Sequence, residues 1–355
     1  MASTFTKEPT LKKKTFSLSD YKKKTNVDNT SFKPVEWFEL GSAFKELTGV
    51  PGIPIGGVTV LMGHSNTSKS TAMLLAAADS QRRGRLPVFI ITEMKWSWGH
   101  AKMLGVQYDE VVDETTGEVN YEGNFIYVDK STLKTIEDVA QFINRLLDDQ
   151  EKGKLPYDLD FFWDSVGSVP CLMSVEKGKS NNEWNAGAMS TQFGGSVNQR
   201  ITASRRSTSE YTNSLICVNK VWVAKPDNPM GKPKMQPKGG TTQYYDSIFV
   251  IQFGNIANAG LNKITVKKGS KTITYGSRVS VAVDKNHVTG LSLSGKLIVV
   301  PDGYIKDDKK EIDAYLKKNL DYFMQVLGGT ADEKLEFDIE DGDDDVLLTE
   351  PEDNE

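Results

Sequence analysis

Apolar residues along this chain fall in short, nearly unbroken runs separated by longer stretches of mixed character. The runs are VTVLM at 58–62, VFIIT at 88–92, NFIYV at 124–128, LDFFW at 159–163, LICVN at 215–219 and SIFVIQF at 247–253. Runs of this length and continuity suit strands covered on both faces. Between them the pattern predicts helices over 69–83, 96–104, 133–152 and roughly 186–212. That alternation predicts an α/β fold, with a mostly parallel central sheet flanked by helices on both faces.

The pattern changes after Phe253. NKITVKKGSKTITYGSRVSVAVDKN reads as two alternating stretches around a Gly-Ser turn, which predicts a hairpin extending the sheet in antiparallel fashion. In 311–329, Ile312, Tyr315, Leu316, Leu320, Phe323 and Val326 recur near helical spacing and predict a terminal helix. The first 30 residues are polar, with KKK at 12–14 and again at 22–24, and are expected to form an extended arm or short helix. No internal repeat is visible.

A chain of 355 residues can bury one large core or two smaller ones. It has no apolar run long enough for a membrane helix and no signal-peptide core, so a cytoplasmic location is expected. Cys171 and Cys217 are too few and too far apart for a disulfide framework or a cysteine zinc site. The net charge of −5 hides an asymmetry: residues 331–355 carry thirteen acids and one lysine, or −12, which leaves +7 on the other 330. A basic body with an acidic tail fits a nucleic-acid binder whose tail competes with phosphates; a solubilising disordered tail fits the charge equally well.

The stretch GHSNTSKST sits where chemistry is expected. It runs from Gly63 through His64, Ser65, Asn66, Thr67, Ser68, Lys69 and Ser70 to Thr71. It matches a phosphate-binding loop except that Ser68 stands where the pattern asks for glycine, which requires a negative φ there or modest strain. A strand before it and a helix after it would aim backbone N–H groups at phosphates. Lys69 would reach the β and γ oxygens, Ser70 would place its hydroxyl on Mg²⁺, and Thr71 would lie toward the α-phosphate. The run LDFFWDSVGSV ends a strand on Asp164, a second candidate for Mg²⁺; a turn or helix cap is the plainer use of such an acid. Glu93 ends PVFIITE, where a carboxylate can orient or deprotonate water or can simply favour a helix N-terminus. Strand, loop and strand-end acids in this order point to an ATP site.

Over about 35–301, PVFIITEMKWSWGHAKMLGVQYDEV and WDSVGSV resemble the RecA-type recombinases, closest to phage recombinases of the UvsX type. The resemblance implies a RecA-like P-loop ATPase core with an antiparallel hairpin extension, using ATP and Mg²⁺. It makes Glu93 the carboxylate that activates water and sets His100 where the family has a ring over adenine. Asn219 and Lys220 fall at its polar γ-phosphate sensor, where bacterial members have Gln at the second position. It implies two DNA-facing loops, near 171–190 and 222–243, the second carrying Trp222, Lys225, Lys232, Lys234, Lys238, Gly239 and Gly240. A basic, glycine-containing loop with an aromatic suits phosphates and stacked bases. Lys285 and His287 match two basic residues that the family sets against the neighbouring subunit's ATP. A histidine there would make the contribution depend on pH.

The expected organisation is a basic arm (1–30) that by the resemblance docks on the next subunit or else contacts DNA, the ATPase core (31–305), a C-terminal helix (306–330) and an acidic disordered tail (331–355). The expected activity is DNA-dependent ATP hydrolysis by a helical filament on single-stranded DNA that pairs with homologous double-stranded DNA. A loading mediator and a single-strand-binding protein are expected partners, no membrane is involved, and a phage origin would put the protein in the bacterial host cytoplasm. Two other readings stay open: a hexameric replicative helicase, and a DNA-coating mediator without catalysis.

Overall fold

The computed structural model describes residue 17 and residues 19–21, 31–224, 234–237, 240–254, 262–268, 270–327 and 336–339. A short ribbon, β1 (Trp37–Glu39) and β2 (Gly52–Pro54), flanks α1 (Ser42–Thr48) and leads into β3 (Gly57–Gly63) and α2 (Lys69–Arg82). Then come β4 (Leu86–Ile91), α3 (Trp98–Met103), the hairpin β5 (Asp109–Val112) and β6 (Val119–Glu122), β7 (Ile126–Asp129), α4 (Ile136–Glu151) and β8 (Leu159–Asp164). Helices α5 (Leu172–Glu176), α6 (Asn182–Met189) and α7 (Asn198–Ala203) precede β9 (Ser214–Ala224), β10 (Lys234–Pro237), α8 (Thr242–Asp246) and β11 (Phe249–Phe253). The last part holds β12 (Asn262–Lys268), β13 (Lys271–Asn286), β14 (Ser294–Val300), β15 (Gly303–Lys306), α9 (Lys309–Lys318), α10 (Leu320–Leu327) and β16 (Glu336–Ile339).

The six apolar runs are the six parallel strands, in the order β11, β3, β9, β8, β4, β7. Apart from β7, which is half-buried at the end of the strand order, they are covered on both faces, because one core packs under α2 and another under α4, α6 and α7. Helix α4 starts at Ile136, later than the apolar period suggests, because Thr135 and Asp138 close a capping box. The predicted hairpin is β12–β13, and β13 continues antiparallel along β11. Strands β14 and β15 extend that edge and were not foreseen.

Three expectations change. The helix expected over 186–212 is α6, a π-helical stretch over Ser190–Val197, and α7, ending by Ser204. Gly194 and Gly195 fall in the π stretch, and a Cβ at Gly194 would sit 3.2 Å from Asp246 and 3.3 Å from Thr242, so its bareness admits α8. The single terminal helix is two, broken at Asn319, whose amide donates to Tyr315 O. In the tail expected to be disordered, residues 336–339 form β16, paired antiparallel with β12. The rest of 331–355 and nearly all of 1–30 lie outside the described residues.

At the amino ends of β4 and β8, remote from the loop 63–71, Arg85 grips Asp160 through two contacts of 2.7 Å and also binds Asp158 and Thr212 O. Ser80 of α2 donates to the same carboxylate at 2.6 Å. Both charges are buried and fully hydrogen-bonded, the condition under which an interior ion pair is tolerated. This network ties α2, β4 and β8 together and fixes the strand ends opposite.

Candidate active site

The register of the sheet brings the carboxyl ends of β3, β4, β8 and β11 together beside Lys220 of β9. Gly63 of β3 lies beside Lys220 of β9 and Phe253 of β11, while Asp164 of β8 lies beside Val218 and Ile91. Gly63 is required where it stands: a Cβ would lie 2.1 Å from Phe253 O. Past it the chain turns through Asn66 and Ser68, both left-handed at φ 60° and 69°. The negative φ that would have made a serine easy at 68 is therefore not found. Ser68 carries the strain, and Tyr304 of β15 donates to its carbonyl at 3.1 Å. Nothing in the sequence pointed to Tyr304, which is 236 residues away.

Ser68→Gly is expected to stabilise the fold by up to about 1.5 kcal/mol. Relief of a left-handed L-residue is worth about 1–2 kcal/mol, and glycine's freedom in the unfolded chain returns about 0.5–1. Denaturant titration reads this directly. A loss of stability would show that the contact with Tyr304 outweighs the strain.

Helix α2 begins at Lys69, and its N-terminus faces a cavity of about 300 Å³. The loop residues Ser65, Asn66, Thr67, Ser68, Lys69, Ser70 and Thr71 line it, as do Glu93, His100, Asp164 and Lys220. Most of the candidate residues are thus gathered in one place. Gly63 and His64 shape the loop from behind, with His64 O and Thr67 Oγ1 accepting from the Lys69 ammonium. Asn219 is buried next to Lys220, and its Oδ1 is without a hydrogen-bond partner among the described residues. Among residues that the sequence did not single out, Lys95, Trp96 and Ser97 also line the cavity.

The charges form a coupled group. Ser70 donates to Asp164 at 2.6 Å, and Asp164 is joined to Ser165 by a cis peptide bond. Lys220 meets Glu93 at 2.6 Å, Lys95 meets the same oxygen at 3.2 Å, and Ser165 donates to the other at 3.3 Å. Burial lowers Lys69 to about 8, and Lys220 pushes the same way, while Asp164 and Glu93 oppose it. Burial raises Asp164, with the negative charge of Glu93 adding to it and the Ser70 hydrogen bond opposing. For Glu93 burial pulls upward, but Lys220 and Lys95 outweigh it and hold the carboxyl below its ordinary value. Burial also lowers His100, and burial with the Lys69 charge lowers His64, which favours neutral rings.

Such a site suits an anion: it has a buried ammonium whose direct partners are a carbonyl and a hydroxyl, next to a helix N-terminus. No cluster of three metal-binding side chains occurs among the described residues. The Ser70–Asp164 pair therefore suits a cation that takes most of its oxygens from phosphate and water, as Mg²⁺ does.

The remaining candidates lie elsewhere. Lys285 pairs with Val250, and His287 N donates to Ile248 O, toward the opposite end of β11 from the cavity. Lys285 instead caps α8, donating to Tyr244 O at 3.0 Å and Tyr245 O at 2.8 Å. The region 171–190, expected to be partly a mobile loop, contains α5 and α6. The backbone flanks of the second loop pair as a ribbon, Trp222 opposite Gln236 and Lys234 opposite Ala224. Gly240, at φ 97°, packs on α6, where a Cβ would lie 3.0 Å from that of Ala186. Lys225, Lys232, Lys238 and Gly239, with the side chains of Trp222 and Lys234, lie outside the described residues.

No protein-family model matches the chain. Among curated proteins it is similar to the RecA protein of Nitratidesulfovibrio vulgaris, 24% identical over 267 residues, covering 70% of this chain and 63% of that one. It is 38% identical over 78 residues to RecA of Aquifex pyrophilus, covering 22% of each chain. RecA of Thermotoga petrophila is 38% identical over 80 residues, again 22% of each. The chain thus spans less than two thirds of the length of these relatives. The similarity and the mostly parallel, helix-flanked sheet together describe a RecA-like core.

Proposed function

We propose that this chain is an ATP-dependent DNA recombinase of the RecA type, nearest the phage UvsX-like branch, acting as a helical filament on single-stranded DNA. The observation that carries this reading is the convergence of Lys69, the Ser70–Asp164 pair and the Glu93–Lys220 pair in one cavity at the strand ends. Lys69 and the amides at the start of α2 bind the β and γ phosphates. Ser70 and Asp164 would hold Mg²⁺, which would supply charge neutralisation on the phosphate oxygens. His100 covers the adenine as a neutral ring. Glu93, ionised, orients water and accepts its proton. Lys220 gives up part of its contact with Glu93 when a terminal phosphate arrives. Because β9 runs on from Lys220 into the loop at 222–243, that exchange is transmitted to the DNA-facing lysines and glycines there.

Lys285 and His287 cannot serve the cavity of their own chain, and are assigned to the ATP of the next subunit. Turnover then depends on assembly. Homologous duplex, a loading mediator and a single-strand-binding protein are the partners of such a filament, in the cytoplasm of a bacterial host. The 1–30 segment joins subunits, 31–305 is the catalytic core, and the acidic residues after 331 compete with DNA.

The test is strand exchange with homologous and heterologous duplex, alongside electron microscopy with DNA and an ATP analogue. Helical filaments and exchange limited to homologous duplex are expected. Closed rings would favour a replicative helicase, and DNA coating without ATP turnover a mediator.

A further inference from the structure

We infer that Tyr304 is a positioning residue for the phosphate loop, standing in for the glycine absent at 68 by holding the peptide that aims the first amide of α2 at the nucleotide; this role rests on the ATP-site reading. Two residues of the loop other than glycine are left-handed, Asn66 and Ser68. Asparagine enters that region readily because its short amide can hydrogen-bond locally, whereas serine meets the clash of its Cβ with the backbone. Left to itself, Ser68 would relax toward negative φ and turn the peptide that joins it to Lys69.

Two hydrogen bonds oppose that turn. Ser68 O accepts from Ala72 N at 3.1 Å, the first helical bond of α2. The Tyr304 hydroxyl donates to the same oxygen at 3.1 Å and lies 3.4 Å from Ser68 Oγ. A carbonyl held from two sides cannot swing without losing both bonds. A trans peptide unit carries its C=O and N–H on opposite sides, so fixing Ser68 O along α2 directs Lys69 N–H the other way, toward the helix N-terminus. That amide belongs to the first turn, where N–H groups have no partner within the helix. Ser68 and Lys69 both line the cavity.

Tyr304 reaches the loop from a braced corner. Only Pro301 and Asp302 join β14 to β15, which sets Val300 opposite Gly303 and Val299 opposite Tyr304. Val299 itself lines the cavity, so this cross-strand pair supplies both a wall and a support. Phe44 of α1 lies against the Tyr304 ring at 6.2 Å between centroids, and Leu75 of α2 is 3.9 Å from where a Cβ on Gly303 would stand. Burial raises the phenol above its ordinary value, with the Ser68 bond opposing, so it stays a donor through the neutral range.

The test compares the full chain with Tyr304→Phe, Ser68→Gly and the double variant. Fluorescent-nucleotide binding, the KM and kcat of ATP hydrolysis and the denaturation midpoint are measured for each. Phenylalanine keeps the ring against Phe44 and removes only the donor. Tyr304→Phe is expected to weaken nucleotide binding about fivefold, the loss appearing in KM rather than in kcat. In the Ser68→Gly chain the same change is expected to alter binding by less than about twofold, because glycine holds the left-handed turn unaided. Equal losses in both backgrounds would overturn the inference, since Tyr304 would then act through packing and not through the serine. A fall in kcat with KM unchanged would overturn it too. If the unaltered chain binds no nucleotide, the ATP-site reading itself fails, whereas nucleotide binding indifferent to Tyr304→Phe overturns this inference alone.

Discussion

Lys69→Ala is expected to abolish ATP hydrolysis and to weaken ATP binding by on the order of a hundredfold. The ammonium is buried, and its direct partners are His64 O and Thr67 Oγ1, so a phosphate would be its first hydrogen-bonded anion. Removing one member of a buried charge pair costs about 2–5 kcal/mol, of which roughly 2.7 corresponds to the hundredfold. Titration with a fluorescent nucleotide and a DNA-stimulated phosphate-release assay read the two effects separately. Retained hydrolysis would mean that the site is elsewhere.

The same residue predicts how binding responds to pH. Lys69 is lowered to about 8, chiefly by burial. Bound phosphate favours the charged form and raises that value. A group protonated more fully in the complex gives binding that is complete below the free value and is lost as pH rises through it. Nucleotide affinity is therefore expected to hold up to about pH 7 and to fall through pH 8 and above, and Lys69→Ala should flatten that slope.

The part of this molecule legible in the sequence is the part set by local pattern. The parallel strands inside the sheet were visible because a strand buried on both faces has to be apolar along almost its whole length, whatever it pairs with; β7, half-buried at the end of the strand order, showed as a shorter mixed run. The candidate phosphate loop was legible because the residues proposed for it lie within nine consecutive positions. What escaped depends on register and approach. The contact of Lys220 with Glu93 joins residues 127 apart in sequence and exists because β9 and β8 are adjacent while Glu93 follows β4. The tyrosine on the Ser68 carbonyl comes from β15, a strand too short and mixed to announce itself. Hairpin β5–β6 escaped for the opposite reason: exposed on both faces, it has no buried face to produce alternation.

Glu93→Gln is expected to lower the rate of hydrolysis by about 10²–10⁴-fold, the usual contribution of a positioned general base, while leaving ATP bound. The amide keeps the size and hydrogen-bonding capacity of the side chain but cannot take a proton from water. The argument turns on separating this loss from the simple loss of an ion pair. In the free protein Glu93 is held ionised by Lys220 and Lys95 against the upward pull of burial. A purely structural pair would give similar results from either side, so Glu93→Gln and Lys220→Gln would both lower stability and both spare the chemistry. With Glu93 as base and Lys220 as its counter-ion, the two variants diverge. Glu93→Gln frees Lys220 for phosphate, so ATP binding stays equal or tightens as single-turnover hydrolysis collapses. Lys220→Gln leaves the carboxylate with Lys95, so the chemical step persists while its dependence on single-stranded DNA weakens, because β9 no longer carries a charge that phosphate can draw away. Equal hydrolysis by Glu93→Gln and the unaltered chain would remove Glu93 from the reaction and leave the pair a structural one.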